Sequence, residues 1–370
     1  MEQVQLINKQ APGDVLMMTC AVRDLHTQYP GQFVTEMDTS CQGIWDNNPF
    51  HQQINRARPH RVLEVGYSMS IQQCNQRRSH FSTGFAQDLG YQLKVKIKPS
   101  SLRPDIYLSD EEMDPAKRMI CQPYWIVVAG GKSDFTVKLW DTRYYQDVVD
   151  QLRGQAYFVQ VGSKEQNHRH VGLRGATNLI GKTTFRQLMS LVYHAEGVVC
   201  PVTCVMHLAG AFNKPAVVIA GGREPWWWEA YTENTWNASC VTQASPDMVN
   251  QVYLHTMGKF RCCAKGGCWK NGVGEKKNGK NCRLVDDGPT MRQPACMKSV
   301  RPEQVVDAIH RYSAGEHMVA EELPEKLGPP LYTENPKTPE ELQALMQSIH
   351  VPRKRYGPKR RGERHRAPVI

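Results

Sequence analysis

An α/β fold built on parallel sheet is the class this sequence predicts, and three features predict it. Between Tyr124 and Glu224 the chain reads strand, glycine turn and helix three times in succession. Each apolar run is short and stops at Gly, and each is followed by apolar residues at a 3.6-residue period. That is the pattern of buried parallel strands joined by crossover helices. An N-terminal strand, tight turn and helix begin a second unit of the same kind. Parallel sheets take ligands at the carboxyl ends of their strands, where the glycine turns lie, so the second half of the chain is suited to a small anionic ligand.

Taken in order, Val4–Ile7 reads as a strand, Ala11-Pro12-Gly13-Asp14 as a turn, and Val15 to His26 as a helix. Gly13 permits close approach of backbone. Asp14 is either the N-cap of that helix or a general base at a strand end facing an interdomain cleft. Further strands are expected at Gln32–Met37 and Arg61–Val65. Leu102–Glu112, with Pro104, an acidic turn and Pro115, reads as a connector. The expected division is therefore an N-terminal domain over 1–115, a second domain over 116–317, and a linker, short helix and tail over 318–370.

In the second half the three units are Tyr124–Lys132 leading into Lys138–Leu152, Ala156–Ser163 leading into Asn178–Gly197, and Val198–Phe212 closed by Ala216–Glu224. Gly13, Lys132, Gly181, Lys182, Thr203 and Gly222 lie at or beside the turns and are candidates to bind the ligand. Arg223 and Glu224 end a strand at the cleft, where they are candidates for a ribose or sugar. ATNLIGKTT has the look of a phosphate-binding P-loop, but Ala176 stands at its required first Gly and no strand is expected to run into it. His168-Arg169-His170 reads as a solvated loop. His207 falls in a helix, as a structural histidine or a ligand contact. The three adjacent Trp of EPWWWEAY (Glu224–Tyr231) cannot share one face of a helix or strand. They read as a hydrophobic plug or as a stacking platform for a base.

Five of the twelve Cys fall between Arg261 and Met297, in a stretch rich in Gly, Lys and Asn that is too polar to fold on its own core. Four residues separate Cys263 from Cys268, and Cys282 and Cys296 follow at equal intervals. Four thiolates around one tetrahedral zinc or iron would order it, with Cys262 and Cys263 rivals for one position. Such a site would be structural. Lys265, Lys270, Lys276, Lys277 and Lys280 ride on the same module.

The whole chain carries a net charge of +10, and Arg353–Arg366 holds eight Lys or Arg against one Glu. This tail is a solubilising segment or a polyanion-binding arm. A helix over Pro302–Tyr312 precedes it, and a second, short helix is expected to start at Thr338-Pro339-Glu340-Glu341. No basic-then-apolar N-terminus is present, and no apolar run approaches the ~18 residues of a membrane helix. The expectation is a cytoplasmic protein with no transmembrane segment, its cysteines thiols or metal ligands.

In this order and spacing the motifs resemble glycosyltransferase family 9, the heptosyltransferases of lipopolysaccharide core, over residues 4 to 224. The likeness rests on Gly13-Asp14-Val15-Leu16 with Thr19, on Lys138-Leu139-Trp140, on Asn178-Leu179-Ile180-Gly181-Lys182-Thr183, and on Met206-His207-Leu208-Ala209 followed by Lys214-Pro215. The resemblance implies a GT-B fold of two Rossmann-like domains facing a cleft, and inverting transfer from a nucleotide-diphosphate sugar, UDP- or ADP-linked, without a catalytic metal. It implies that Asp14 takes the acceptor proton and that Lys138 neutralises the departing diphosphate. Thr203 and the amides near it would point at the same phosphates. The family's usual Asp ahead of the Met-His turn is Val202 here, so ADP-heptose is not fixed as donor. A similar cysteine insertion in autotransporter heptosyltransferases implies iron.

Charge and aromatics together suggest hydroxymethylated pyrimidines in DNA, of the kind found in phage genomes, as the acceptor. The alternatives are a lipopolysaccharide core sugar or protein Ser/Thr, and a noncatalytic nucleic-acid-binding protein.

Overall fold

The computed structural model describes residues 1–71, 74–76, 79–231, 251–274 and 280–315. The expected helix at Thr338 and the basic tail lie outside these residues. In the first half the elements are β1 (Glu2–Asn8), α1 (Pro12–Gln28), β2 (Phe33–Thr39), β3 (Arg61–Glu64) and α2 (Phe81–Leu93). The three strands form a parallel sheet in the order β2-β1-β3, with Val4 opposite both Thr35 and Arg61.

The second half supplies β4 (Trp125–Val127), α3 (Thr142–Gln151), β5 (Phe158–Gln160), β6 (Ala176–Asn178), α4 (Phe185–His194), β7 (Gly197–Pro201), α5 (Cys204–Ala211), β8 (Ala216–Gly221), β9 (Gln251–His255) and α6 (Pro302–Ser313). Its six strands are all parallel, in the order β9-β8-β7-β4-β5-β6. The chain therefore winds outward from β4 to β6, returns, and winds the other way from β7 to β9. The reversal falls between β4 and β7, the point at which doubly wound sheets open a ligand crevice.

Alternation of side chains along β4 sorts the core into two layers. Tyr124, Ile126 and Val128 join the layer that contains α1, α2 and α5, while Trp125, Val127 and Ala129 join the layer under α3 and α6. Among the described residues no helix is long and apolar enough to cross a membrane.

Several local expectations need correction. Asp14 is not the N-cap of α1. That position is Ala11, and Asp14 stands three residues inside, its carboxylate accepting the Ala11 N–H at 3.1 Å. Pro12 moves the start of the helix forward because its missing N–H costs nothing in the first turn. A strand does run into the ATNLIGKTT loop: β6, three residues at the sheet edge, too short for any period to show. The helix expected over Asn178–Gly197 is confined to Phe185–His194, and Thr184 caps it by accepting the Gln187 N–H. His168–His170 is a strand, not a solvated loop, paired antiparallel with Gly130–Lys132. Its partner is glycine-rich and shows no apolar alternation, which hid the pairing. The His170 ring fills the space over Gly130 and Gly162, where an added Cβ would fall 2.6 and 2.5 Å from Nδ1.

The three tryptophans occupy a single 3₁₀ turn, Trp226–Trp228, and all are at most 2% exposed. The turn's tight pitch splays them in three directions, so burial of all three needs no common face. Trp227 also donates its indole N–H to the Cys74 carbonyl at 2.8 Å. Trp227→Ala should lower unfolding stability by about 3–5 kcal/mol in a urea titration, the cost of an unfilled aromatic site.

Candidate active site

Four segments converge at the strand reversal, where sheets of this kind take their ligands. The loop after β4 carries Lys132 and Lys138, the loop after β8 carries Gly222, Arg223 and Glu224, α5 carries His207, and the first turn of α1 brings Asp14 from the other half of the chain. Gly13 allows this approach: a Cβ there would meet His207 Cδ2 at 3.3 Å and the Cys204 Cα at 3.5 Å.

Asp14 is mostly buried, and burial raises its carboxyl pKa above the usual carboxylate value. A hydrogen bond from Tyr67, the Ala11 amide, and the charges of Lys138 and Lys132 oppose the rise. A carboxylate so placed is a stronger base than a solvated one. Lys138 Nζ lies 2.7 Å from Glu224 Oε1 and 3.8 Å from a Glu229 oxygen. Burial pulls its pKa down to about 8, with Glu229 and Asp14 opposing and Arg223 assisting. Burial also raises the Glu229 carboxyl, against the pull of Lys138 and Arg223. Glu224 receives Arg223 on the same oxygen that meets Lys138, and its Oε2 is buried without a hydrogen-bond partner. A carboxylate oxygen left bare in a crevice is a ready acceptor for a ligand hydroxyl.

Arg223 is aimed by its surroundings. Its guanidinium lies over the rings of Phe135 at 5.0 Å and Trp269 at 5.6 Å, and Nε donates to the Lys270 carbonyl at 2.7 Å. His207 is buried. Its Nδ1 is 2.7 Å from the Tyr231 hydroxyl, and burial pushes its pKa well below the usual value, so the ring is neutral and structural in character. Thr203 is the N-cap residue of α5 and makes no side-chain capping bond, so its hydroxyl is not committed to the helix.

The cysteine module is docked on the same loop. A Cβ on Gly222 would fall 3.0 Å from Cys263 Sγ, and one on Gly221 would fall 3.4 Å from Cys296 Sγ. The Cys268 amide donates to the Gly222 carbonyl at 3.3 Å. Asn75 fastens the module to the first half of the chain through Gly267 at 2.9 Å, in both directions, and through the Trp269 indole at 3.0 Å.

Residues 85–257 match the model of glycosyltransferase family 9 (heptosyltransferase). Lipopolysaccharide heptosyltransferase 3 of Escherichia coli (strain K12) is 26% identical over 106 residues, covering 26% of this chain and 31% of that protein. The chain thus spans about a third of the length of the curated relative it matches. Among solved structures, the iron-containing dodecameric glycosyltransferase TibC of enterotoxigenic E. coli H10407 superposes with a TM-score of 0.56 at 17% identity, covering 85% of this chain and 76% of that one. The E. coli ADP-heptose lipopolysaccharide heptosyltransferase II gives 0.51 at 14% identity, covering 86% and 100%.

Over residues 85–257 the chain is similar to glycosyltransferase family 9 (heptosyltransferase). Its α/β fold of parallel sheets is the one expected from the sequence.

Of the residues singled out in the sequence of this family 9-like chain, Asp14, Lys138, His207, Arg223 and Glu224 are brought together, with Gly13 and Gly222 as their close-approach points. Lys132 joins through its charge, which Asp14 feels. Gly181 and Lys182 sit at the β6 edge of the sheet, where they hydrogen-bond to Gly162, Leu179 and Asn178. Tyr67 and Glu229 were missed. Nothing in sequence marks Tyr67, whereas Glu229 stood in a motif read for its aromatics, four residues from Pro225.

For a zinc or iron ion the four predicted cysteines are of the right type and lie in electrostatic reach of one another. Burial, and then Cys268, Cys282 and Cys263, push the Cys296 thiol up to about 12. Of the vicinal pair, Cys263 is buried and Cys262 exposed. Among the described residues no three His, Cys, Asp or Glu side chains stand at metal-ligand geometry. The donor set fits such an ion in chemistry, and drawing the thiols together would also remove their protons.

Proposed function

We propose that the family 9-like chain is an inverting GT-B glycosyltransferase, with residues 1–115 presenting the acceptor and 116–317 holding a nucleotide-diphosphate sugar. The observation that carries this reading is a partly buried Asp14 carboxylate within electrostatic reach of Lys138 and Lys132. Asp14 takes the proton of the acceptor hydroxyl as its oxygen attacks the anomeric carbon. The bond from that carbon to the diphosphate breaks on the opposite face, and the electron pair leaves with the phosphate. Lys138 and the first amides of α5 offset the charge that develops there. Glu224, Arg223 and Thr203 are the donor contacts, with Gly13 and Gly222 giving them room. Lys132, Gly181 and Lys182 are proposed as outlying donor contacts.

ADP-heptose is the donor bound by TibC in a second solved structure, and a nucleotide sugar of that class is proposed here. The acceptor is proposed to be a lipopolysaccharide core sugar or a protein hydroxyl, in keeping with the relatives' names. The DNA acceptor rests on the tail Arg353–Arg366, the lysines of the cysteine module and the aromatics near the cleft, of which Trp226, Trp227 and Trp228 are buried. The tail, Lys276 and Lys277 lie outside the described residues, and the remaining observations give DNA no support.

The test is incubation with a panel of ADP- and UDP-sugars and with core oligosaccharide, peptide and hydroxymethylcytosine DNA, followed by mass spectrometry. A product heavier by one sugar supports the reading. Binding of acceptors with no donor cleavage under any condition would point to a noncatalytic binder.

Two further results are expected. The rate should rise with pH as Asp14 ionises, above the ordinary carboxylate value, and fall as Lys138 loses its proton at about 8. In metal analysis, Cys263, Cys268, Cys282 and Cys296 should hold about one zinc or iron per chain in a tetrahedral site. Cys263→Ser with Cys296→Ser should lose the metal and lower the melting temperature.

A further inference from the structure

A pocket of about 830 Å³ opens where the first half of the chain meets α4, lined by Trp45, Asp46, Asn47, Asn48, His51, Ser109, Glu111, Glu112 and Arg186. Its size falls in the range of roughly 300–1,000 Å³ that holds small ligands. Part of the lining is already committed. Arg186 is ion-paired with Glu112 and donates to the Gly43 carbonyl at 3.2 Å and to the Tyr107 carbonyl at 3.1 Å. Glu111 pairs with Lys117 at 3.2 Å. His51 Nδ1 accepts the Met37 amide at 3.1 Å.

Two groups are not committed. Trp45 is 1% exposed, yet its indole N–H is buried without a hydrogen-bond partner. A buried donor with no acceptor is costly unless a ligand or solvent supplies one. Asp46 has no hydrogen bond or ion pair among the described residues, and it leaves the pocket wall anionic. The loop holding both begins at Ser40, whose hydroxyl donates to the Gln10 carbonyl in the turn that leads to Asp14.

From these we infer that the pocket is a sugar subsite beside the acceptor hydroxyl, and that it selects a neutral or amine-bearing unit against a phosphorylated one. The inference rests on the transferase reading of Asp14 given above. Each sugar hydroxyl both donates and accepts, so one ring can take the Trp45 N–H and give a proton to Asp46. An ammonium group would add a charge-assisted bond to Asp46, whereas a phosphate would face that carboxylate at short range.

The probes are methyl glucosaminide, methyl glucoside and glucose 6-phosphate, titrated against the full chain with saturation-transfer NMR as the readout. The amine-bearing glycoside is expected to bind tightest and the phosphate at least about tenfold more weakly than the neutral one. Asp46→Asn, at an exposed position, should bring the amine to the level of the neutral glycoside. Trp45→Phe should weaken all binding by about fivefold, the loss of one hydrogen bond. Because binding is read without donor, the same ranking in Asp14→Asn protein supports the subsite whatever the transfer assay returns. Tightest binding of the phosphate, or an unchanged ranking in folded Asp46→Asn, would overturn it. So would the absence of glycoside binding in protein that still cleaves a nucleotide sugar.

Discussion

Asp14→Asn is expected to reduce sugar transfer by about 10²- to 10⁴-fold, the usual contribution of a positioned general base. The amide oxygen can still accept the Ala11 N–H that Asp14 holds at 3.1 Å, so the helix start is kept. Stability should move the other way. Burial holds the Asp14 carboxyl above its ordinary value, so the folded chain binds this proton more tightly than the unfolded chain does. Stability from this site is therefore present at low pH and is lost as pH rises past the ordinary carboxylate range. Asn removes that penalty, and its melting temperature at pH 7 should equal or exceed that of the parent. Loss of activity with a gain in stability marks a residue kept for chemistry. A fall in both would mark Asp14 as a structural cap.

Lys138→Met is expected to act on both quantities at once. Removing one preorganised cation from a developing phosphate charge costs on the order of 10²–10³ in rate. The ammonium also lies 2.7 Å from Glu224, whose carboxylate is almost fully buried. Taking one partner from a buried ion pair leaves an uncompensated charge, at a cost of about 3–5 kcal/mol. Arg223, paired with the same Glu224 oxygen, should keep the loss toward the low end. Lys138→Arg restores the charge and should recover part of the rate. It should also abolish the alkaline fall near pH 8, because a guanidinium stays protonated there. An alkaline limb unchanged in Lys138→Arg would assign it to another group.

The strand and helix pattern of the second half was legible because its strands are buried on both faces and end at glycine. A continuous apolar run such as Ala216–Gly221 has one reading once a turn follows it. The β6 strand and the Gly130–Lys132 ladder were not legible: three residues cannot show a period, and their pairing is decided by partners distant in sequence. Asp14 and Lys138 could be named from motifs, but their shared environment could not. Tyr67 and Glu229 reach them only through the packing of α1 against α5 and of the tryptophan turn beneath. His207 belongs to the same lesson. Its place in a helix was visible, while the Tyr231 bond that makes it structural depends on a chain segment 24 residues on.

The fit of Gly222 against Cys263 has a consequence for sequence variation. An added Cβ at 222 would stand 3.0 Å from the Cys263 sulfur, so a side chain there needs that loop to shift, whereas Gly221 is held to glycine by its positive φ whatever stands beside it. Descendants of this chain that shed the cysteine module are freer to place a side chain at 222, while 221 stays glycine in either case. Gly222 and the Cys263 thiol should therefore be inherited, or lost, as one unit.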